Sequence, residues 1–238
     1  MVRKIKKKIV ALVCCRQGSK GIKNKNIKLF KGKPLLYWTA RNIYKSNIFD
    51  KVYLSTDGKN IAKLGKKYGF EVPELRPKKL AHDRSDVFQT HNYFFKKMNI
   101  NDKNSIVCII SNNPFMDYKI IKKSFKIFKI NKFKYIVMGA LTISSDQVFF
   151  RQMKKIKNSL FPMFTKSLIN SGINRKNYNI FVNTGDIRWG KPSWLINYKK
   201  FNKILANKGF KFFEIKDSKY QDLNTVDDWK KAIGKFRK

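Results

Sequence analysis

The stretch Ile9-Val10-Ala11-Leu12-Val13-Cys14-Cys15-Arg16-Gln17-Gly18-Ser19-Lys20-Gly21-Ile22-Lys23-Asn24-Lys25-Asn26 opens as an unbroken apolar run and then breaks into a basic, glycine-punctuated loop. The run reads as a buried strand. The loop carries three fixed cations, Arg16, Lys20 and Lys25. Glycine lets backbone N–H groups come close to an anion, and clustered cations offset the charge of a polyphosphate. A strand that empties into such a loop points to a nucleoside triphosphate. It is not a Walker A loop, because Lys20 is followed by Gly21 and the glycine spacing that motif requires before it is absent.

Outward from this stretch, strand and helix patterns alternate. Pro34 to Ser46 reads as a helix with proline at its start, and Lys51 to Ser55 as a second strand. Asn60 to Tyr68 reads as a helix ended by Gly69, and Asp86 to Met98 as another. Ser105 to Ile110 is a strand, Tyr118 to Ile130 an amphipathic helix and Lys134 to Ile143 a strand. Such alternation predicts an α/β fold of three layers, a mostly parallel Rossmann-like sheet covered on both faces, with ligands at the strand C-terminal ends. Arg16 to Asn26, Asp57 and Ser111 to Asp117 fall at those ends. From Ser144 to Asn179 the periodicity breaks down; Ile180 to Ile187 and Lys211 to Ile215 then read as returning strands, and Thr225-Val226-Asp227-Asp228 as a capping box opening a last helix.

Arg16-x-Gly18-Ser19-Lys20-Gly21-Ile22-x-x-Lys25-Asn26 resembles the nucleotide-binding signature of the acylneuraminate cytidylyltransferases, the CMP-sialic acid synthetase group. Gly32-Lys33-Pro34-Leu35, Val52 to Asp57, Tyr68 to Pro73, Leu75-Arg76-Pro77 and Gln221 to Thr225 follow in that family's order. The resemblance implies a fold of the nucleotide-diphospho-sugar transferase type. It implies a single domain over 1–238, with 144–179 as a small projecting appendage for a homodimer. It implies transfer of CMP from CTP to an acidic 2-keto sugar, with Mg²⁺. Carried onto this chain, Arg16, Gly18, Ser19, Lys20, Lys25, Asn26 and Arg76 would bind the nucleotide, with Ser85 or Asp86 nearby. Arg16, Lys20 and Asp222 would serve catalysis, Asn112 and Asn183 the sugar, and Asp222 with Asn224 the metal.

Two departures stand out. The family carries aspartates at both Asp222 and the second position after it, where this chain has Asn224; an amide can offer oxygen to a hard cation but removes one negative charge. Ser111 to Asp117 keeps only the proline of the family's acceptor loop. Both departures leave open a nucleotide-binding relative with altered or lost catalysis.

The 238 residues hold 54 Lys plus Arg against 15 Asp plus Glu, a net charge of +39. Charge alone would suit a basic nucleic-acid-binding protein. The lysines are spread over the whole length and no RNA-binding motif interleaves them, so the expectation is compositional drift and no specific nucleic acid. Cys14, Cys15 and Cys108 sit in apolar runs without CxxC spacing, which predicts reduced, buried thiols in a cytoplasmic protein. Lys4 to Lys8 before the apolar run superficially resembles a signal peptide, but the run is short and Arg16 follows at once. No segment is long and apolar enough to span a membrane, so none is expected as a partner. His82 and His91 are the only histidines and read as structural.

Overall fold

In the computed structural model, which describes residues 7–82, 85–143, 153–156, 159–162, 180–216 and 220–236, β1 (Lys8–Cys14) lies inside a six-stranded sheet. It runs parallel to β4 (Lys51–Ser55) on one side and to β5 (Ser105–Ile110) on the other. Its residues on both faces are buried, which is why the sequence runs apolar without alternation. Val10 and Leu12 point to one face, Ala11 and Val13 to the other.

The remaining strands are β6 (Val137–Ile143), β9 (Ile180–Gly190) and β10 (Lys211–Glu214), giving the order β10-β6-β9-β5-β1-β4. β10 is parallel to β6, but β9 is antiparallel to both β5 and β6. That single reversed strand makes the sheet mostly, not wholly, parallel. It also brings Gly185 and Asp186 to the same edge as the C-terminal ends of β1 and β5, since Ile187 pairs with Ile110. The short ladder of β2 (Leu29–Phe30) with β3 (Lys33–Pro34) follows the first loop. β7 (Met153–Ile156) and β8 (Ser159–Pro162) pair with each other. Apart from that pair, the expected dimerisation appendage over 144–179 lies outside the described residues.

Helices cover both faces. α1 (Leu35–Ser46), α2 (Lys59–Lys67), α4 (Tyr118–Ile130) and α6 (Val226–Lys235) pack on the face of Ala11 and Val13. α3 (Val87–Lys97) and α5 (Tyr198–Lys208) pack on the face of Val10 and Leu12. Trp189 of β9 is fully buried on the first face, stacked 5.4 Å from Phe49, with its indole N–H donating to Ser124 Oγ at 2.8 Å. Caps fix the helix starts: the carboxylates of Asp86 and Asp117 accept from Phe88 and Ile120, and Thr225 with Asp228 forms the capping box read in the sequence. Each such cap stabilises its helix by about 1 kcal/mol.

Sequence and structure differ at some element ends. The sixth strand begins at Val137, not Lys134, because Lys132 and Phe133 take positive φ in the preceding turn. α5 has no counterpart in the sequence reading, its lysines and asparagines having hidden a periodicity that buries only Phe201.

Candidate active site

The C-terminal ends of β1, β4 and β5 open into one cleft of about 520 Å³. The first loop supplies Arg16, Ser19, Lys20, Gly21, Lys25 and Asn26, and the segment after β4 supplies Arg76. Ser111, Asn112 and Asn113 follow β5; Thr184, Gly185 and Asp186 come from β9; Asp222, Leu223 and Asn224 come from the segment before α6. Gly18 stands outside the lining, facing open space. Asn183 is outside it too: its amide donates to Met138 Sδ at 3.4 Å and its Oδ1 accepts from Gly185 N at 2.9 Å. Asn183 therefore shapes the turn that presents its neighbours.

The first loop is held rigidly. Thr39 Oγ1 donates to Asn112 Oδ1 at 2.7 Å, Asn112 Nδ2 to Asn26 Oδ1 at 2.9 Å, and Asn26 Nδ2 to the Arg16 carbonyl at 2.8 Å. Both asparagines are buried, so this relay ties the loop to α1 and to the loop after β5. Gln17 N donates to Asp57 Oδ1 at 2.8 Å, which gives Asp57 a supporting place. Lys25 Nζ reaches the Leu223 carbonyl at 2.9 Å and joins the loop to the C-terminal segment.

Four cations, Arg16, Lys20, Lys25 and Arg76, line this one cleft. Arg76 is 9% exposed, donating from Nε to Ser55 Oγ at 3.1 Å and from Nη2 to the Ser55 carbonyl at 2.7 Å. Neutral acceptors orient the guanidinium without neutralising it, which keeps its charge for an anion in the cleft. Ser85 is in the lining, while Asp86 caps α3.

The acidic side consists of Asp222 and Asp186. Asp222 accepts from Leu223 N on Oδ1 and from Asn224 Nδ2 on Oδ2, both at 2.7 Å. Asp186 is 6% exposed and accepts from the Tyr220 hydroxyl. Burial, reinforced by the charge of Asp222, pushes its carboxyl up to about 6, against the hydrogen bonds from Tyr220, Ser111 and Asn113. Burial also pushes the Tyr220 phenol up, so it remains a donor. Cys14 lines the cleft, but burial raises its thiol, and burial pushes Cys15 up to about 12, so neither is a thiolate nucleophile. His82 lines the cleft, whereas His91 is buried behind it, its Nδ1 bonded to the Leu195 carbonyl at 2.9 Å. Burial lowers His91 to about 4, leaving a neutral imidazole.

Asp186, Tyr220 and Arg188 escaped the sequence reading. The signal was present in β9, where Asp186 and Arg188 put two charged residues on one face, alternating with the apolar Ile187 and Trp189. Nothing local marks Tyr220 as a partner of a residue so distant in sequence.

The family model described as Cytidylyltransferase matches residues 10–159. The chain is 30% identical over 139 residues to a pseudaminic acid cytidylyltransferase of Campylobacter jejuni, covering 54% of this chain and 56% of that one. It is 33% identical over 126 residues to a CMP-N,N'-diacetyllegionaminic acid synthase of Legionella pneumophila, covering 52% and 54%. The matched stretch thus spans about half the length of these curated relatives. Among solved structures, a CMP:2-keto-3-deoxy-manno-octonic acid synthetase complexed with CTP superposes with a TM-score of 0.71 at 15% identity, over 95% of this chain and 97% of that one. That likeness shows the fold.

Proposed function

Because this chain belongs to the cytidylyltransferase family, we propose that it transfers CMP from CTP to an acidic 2-keto sugar of the sialic or nonulosonic acid class and releases pyrophosphate. The observation that carries this reading is the convergence of Arg16, Lys20, Lys25 and Arg76 on one cleft that also holds Asp222.

In such a transfer the anomeric hydroxyl attacks the α-phosphorus in line with the departing pyrophosphate, and no covalent enzyme intermediate is needed. Positioning and charge neutralisation do most of the work. Arg16, Lys20 and Lys25 neutralise the phosphates, and the Thr39-Asn112-Asn26 relay keeps their loop in place before the nucleotide arrives. Arg76 presents its fixed charge from the end of β4. Thr184 to Asp186 and Ser111 to Asn113 form the remaining polar wall, which receives the acceptor.

Asp222 supplies the hard carboxylate oxygens that suit Mg²⁺, and one or two carboxylates plus phosphate oxygens are its usual setting in nucleotide enzymes. Among the described residues no three His, Cys, Asp or Glu side chains are grouped to hold an ion by themselves. Asp222, with the Asn224 amide oxygen, would hold a Mg²⁺ that arrives on CTP. When bound, the ion supplies charge neutralisation to the triphosphate.

The proposal includes a homodimer, work in the cytoplasm with the three free cysteines reduced, and no specific nucleic-acid partner. No helix among the described residues is long and apolar enough to cross a membrane. The test is pyrophosphate release from CTP, UTP, ATP and GTP with a panel of acidic sugars. Release with CTP and an acidic sugar is expected; no release with any pair, or indifference to the base, overturns it.

A further inference from the structure

An attack by a hydroxyl leaves a proton to be taken up, and the cations that neutralise the phosphates do not take it. Besides those four cations, the titratable side chains lining the cleft are Cys14, His82, Asp186 and Asp222. The Cys14 thiol is raised by burial and stays protonated. Both oxygens of Asp222 are engaged, by Leu223 N and Asn224 Nδ2, and this is the carboxylate that would hold the metal. His82 enters from the segment after β4, with β5 and β1 standing between that strand and β9.

Asp186 lies on the wall that receives the acceptor, and its place there is fixed. Its carbonyl accepts from Ser111 N at 2.8 Å, beside the pairing of Ile187 with Ile110. Before it, Asn183 Oδ1 accepts from Gly185 N at 2.9 Å, and Gly185 turns at φ +73, so the chain delivers Asp186 to the cleft. Its carboxyl accepts from the Tyr220 hydroxyl on Oδ2 and from the side chains of Ser111 and Asn113. A carboxylate has about four acceptor positions, so these three donors leave room for one more from the cleft. Burial and the charge of Asp222 push the carboxyl up to about 6 against those bonds, which makes it a stronger base than an ordinary aspartate. The titratable groups facing it are Tyr220 and Asp222 from the C-terminal segment and Arg188 on its own strand; Ser111 and Asn113, after β5, are neutral.

We propose that Asp186 is the general base of the transfer, accepting the proton of the acceptor's anomeric hydroxyl. This rests on the cytidylyl-transfer reading and assigns the proton which that reading leaves unplaced. As the hydroxyl proton passes to an Asp186 oxygen, the sugar oxygen bonds to the α-phosphorus. The bond from that phosphorus to the oxygen bridging to the β-phosphate breaks, and pyrophosphate leaves with the electron pair. Asp186 then returns the proton to water. In the reverse direction the same carboxyl protonates the departing sugar oxygen.

The test measures single-turnover CMP transfer across pH to N-acetylneuraminate, pseudaminate and N,N'-diacetyllegionaminate, together with CTP affinity by calorimetry. Asp186→Asn keeps an oxygen for the Tyr220 hydroxyl and loses the base. Its rate with the acid that wild type uses should fall about a hundredfold or more, forward and in pyrophosphorolysis of the product, with CTP affinity within about twofold. Tyr220→Phe removes a bond that holds the Asp186 carboxyl down, so the acidic limb of the rate profile should move up by about half a pH unit or more. A merely structural Asp186 would not tie that limb to Tyr220, and this variant serves if the asparagine variant does not fold. A folded Asp186→Asn that keeps its rate within about threefold, or a limb that stays in place in Tyr220→Phe, overturns the proposal while transfer by wild type stands. If wild type binds CTP but transfers to none of these acids, the transfer reading fails, and the role of Asp186 fails with it.

Discussion

A Cβ on Gly21 would fall 1.8 Å from the carbonyl oxygen of Asn224, so the first loop and the segment before α6 touch backbone to backbone. Lys25 reinforces the contact through the Leu223 carbonyl. The cations of the first loop and the carboxylate of Asp222 share a cleft because this seam closes.

Gly21→Ala should therefore open the seam. A folded protein is expected, with CTP affinity lowered at least about tenfold, since a clash with backbone cannot be relieved by rotating a side chain. Gly18→Ala meets open space and should change CTP affinity less than about twofold. Calorimetry on both variants checks this, and equal effects would remove the seam from the account.

Arg16→Ala or Lys20→Ala should abolish measurable CTP binding with little change in unfolding temperature, because both side chains belong to a cleft-lining loop and not to the core. Asn26→Ala should act differently. It breaks the relay to Arg16 and Asn112, so both stability, by about 1–3 kcal/mol, and CTP affinity should fall. Denaturant unfolding separates the two classes.

Asn224→Asp replaces a 2.7 Å donor to Asp222 by a second carboxylate. Without metal the like charges should lower stability, by about 1 kcal/mol, and Mg²⁺ should restore it by binding the folded state. Asp222→Asn should remove both turnover and any Mg²⁺-dependent shift in unfolding temperature. Near-normal pyrophosphate release by Asp222→Asn at saturating Mg²⁺ would strike Asp222 from the site.

Two buried groups should titrate against each other. His91 is lowered from 6.5 to about 4, so its neutral folded form is favoured above 6.5 and costs stability as pH falls toward 4. Asp186 is raised from 3.8 to about 6, so its contribution is full below 3.8 and is lost as pH rises toward 6. Each effect amounts to at most about 3 kcal/mol. Wild-type stability should be nearly flat from pH 4 to 6; Asp186→Asn should rise with pH across that window and His91→Gln should fall. Urea midpoints in a pH series decide it, and parallel profiles for the three proteins would refute the opposition.

The loop of Arg16 to Asn26 was legible because its chemistry is local. An apolar run, glycines and fixed cations within one short stretch are enough to specify a strand leading into an anion site, and β1 and its loop stand there. The alternation of periods also located β4, α3, β5 and α4 to within a residue or so, since burial on one or both faces leaves a pattern in the chain itself. The tertiary structure alone decided the direction of β9, because strand direction depends on pairing partners and not on the strand's own residues. It decided that Asn112 and Asn26 support the loop through hydrogen bonds to each other, and that Asn183 turns out of the cleft while Asp186 lines it. It also joined Tyr220 to Asp186 and set Arg188 behind Gly185. The bonds of Tyr220 to Asp186 and of Asn112 to Asn26 join segments far apart in the chain, and a side chain's charge state and partners follow from what the fold places around it, which no local pattern encodes.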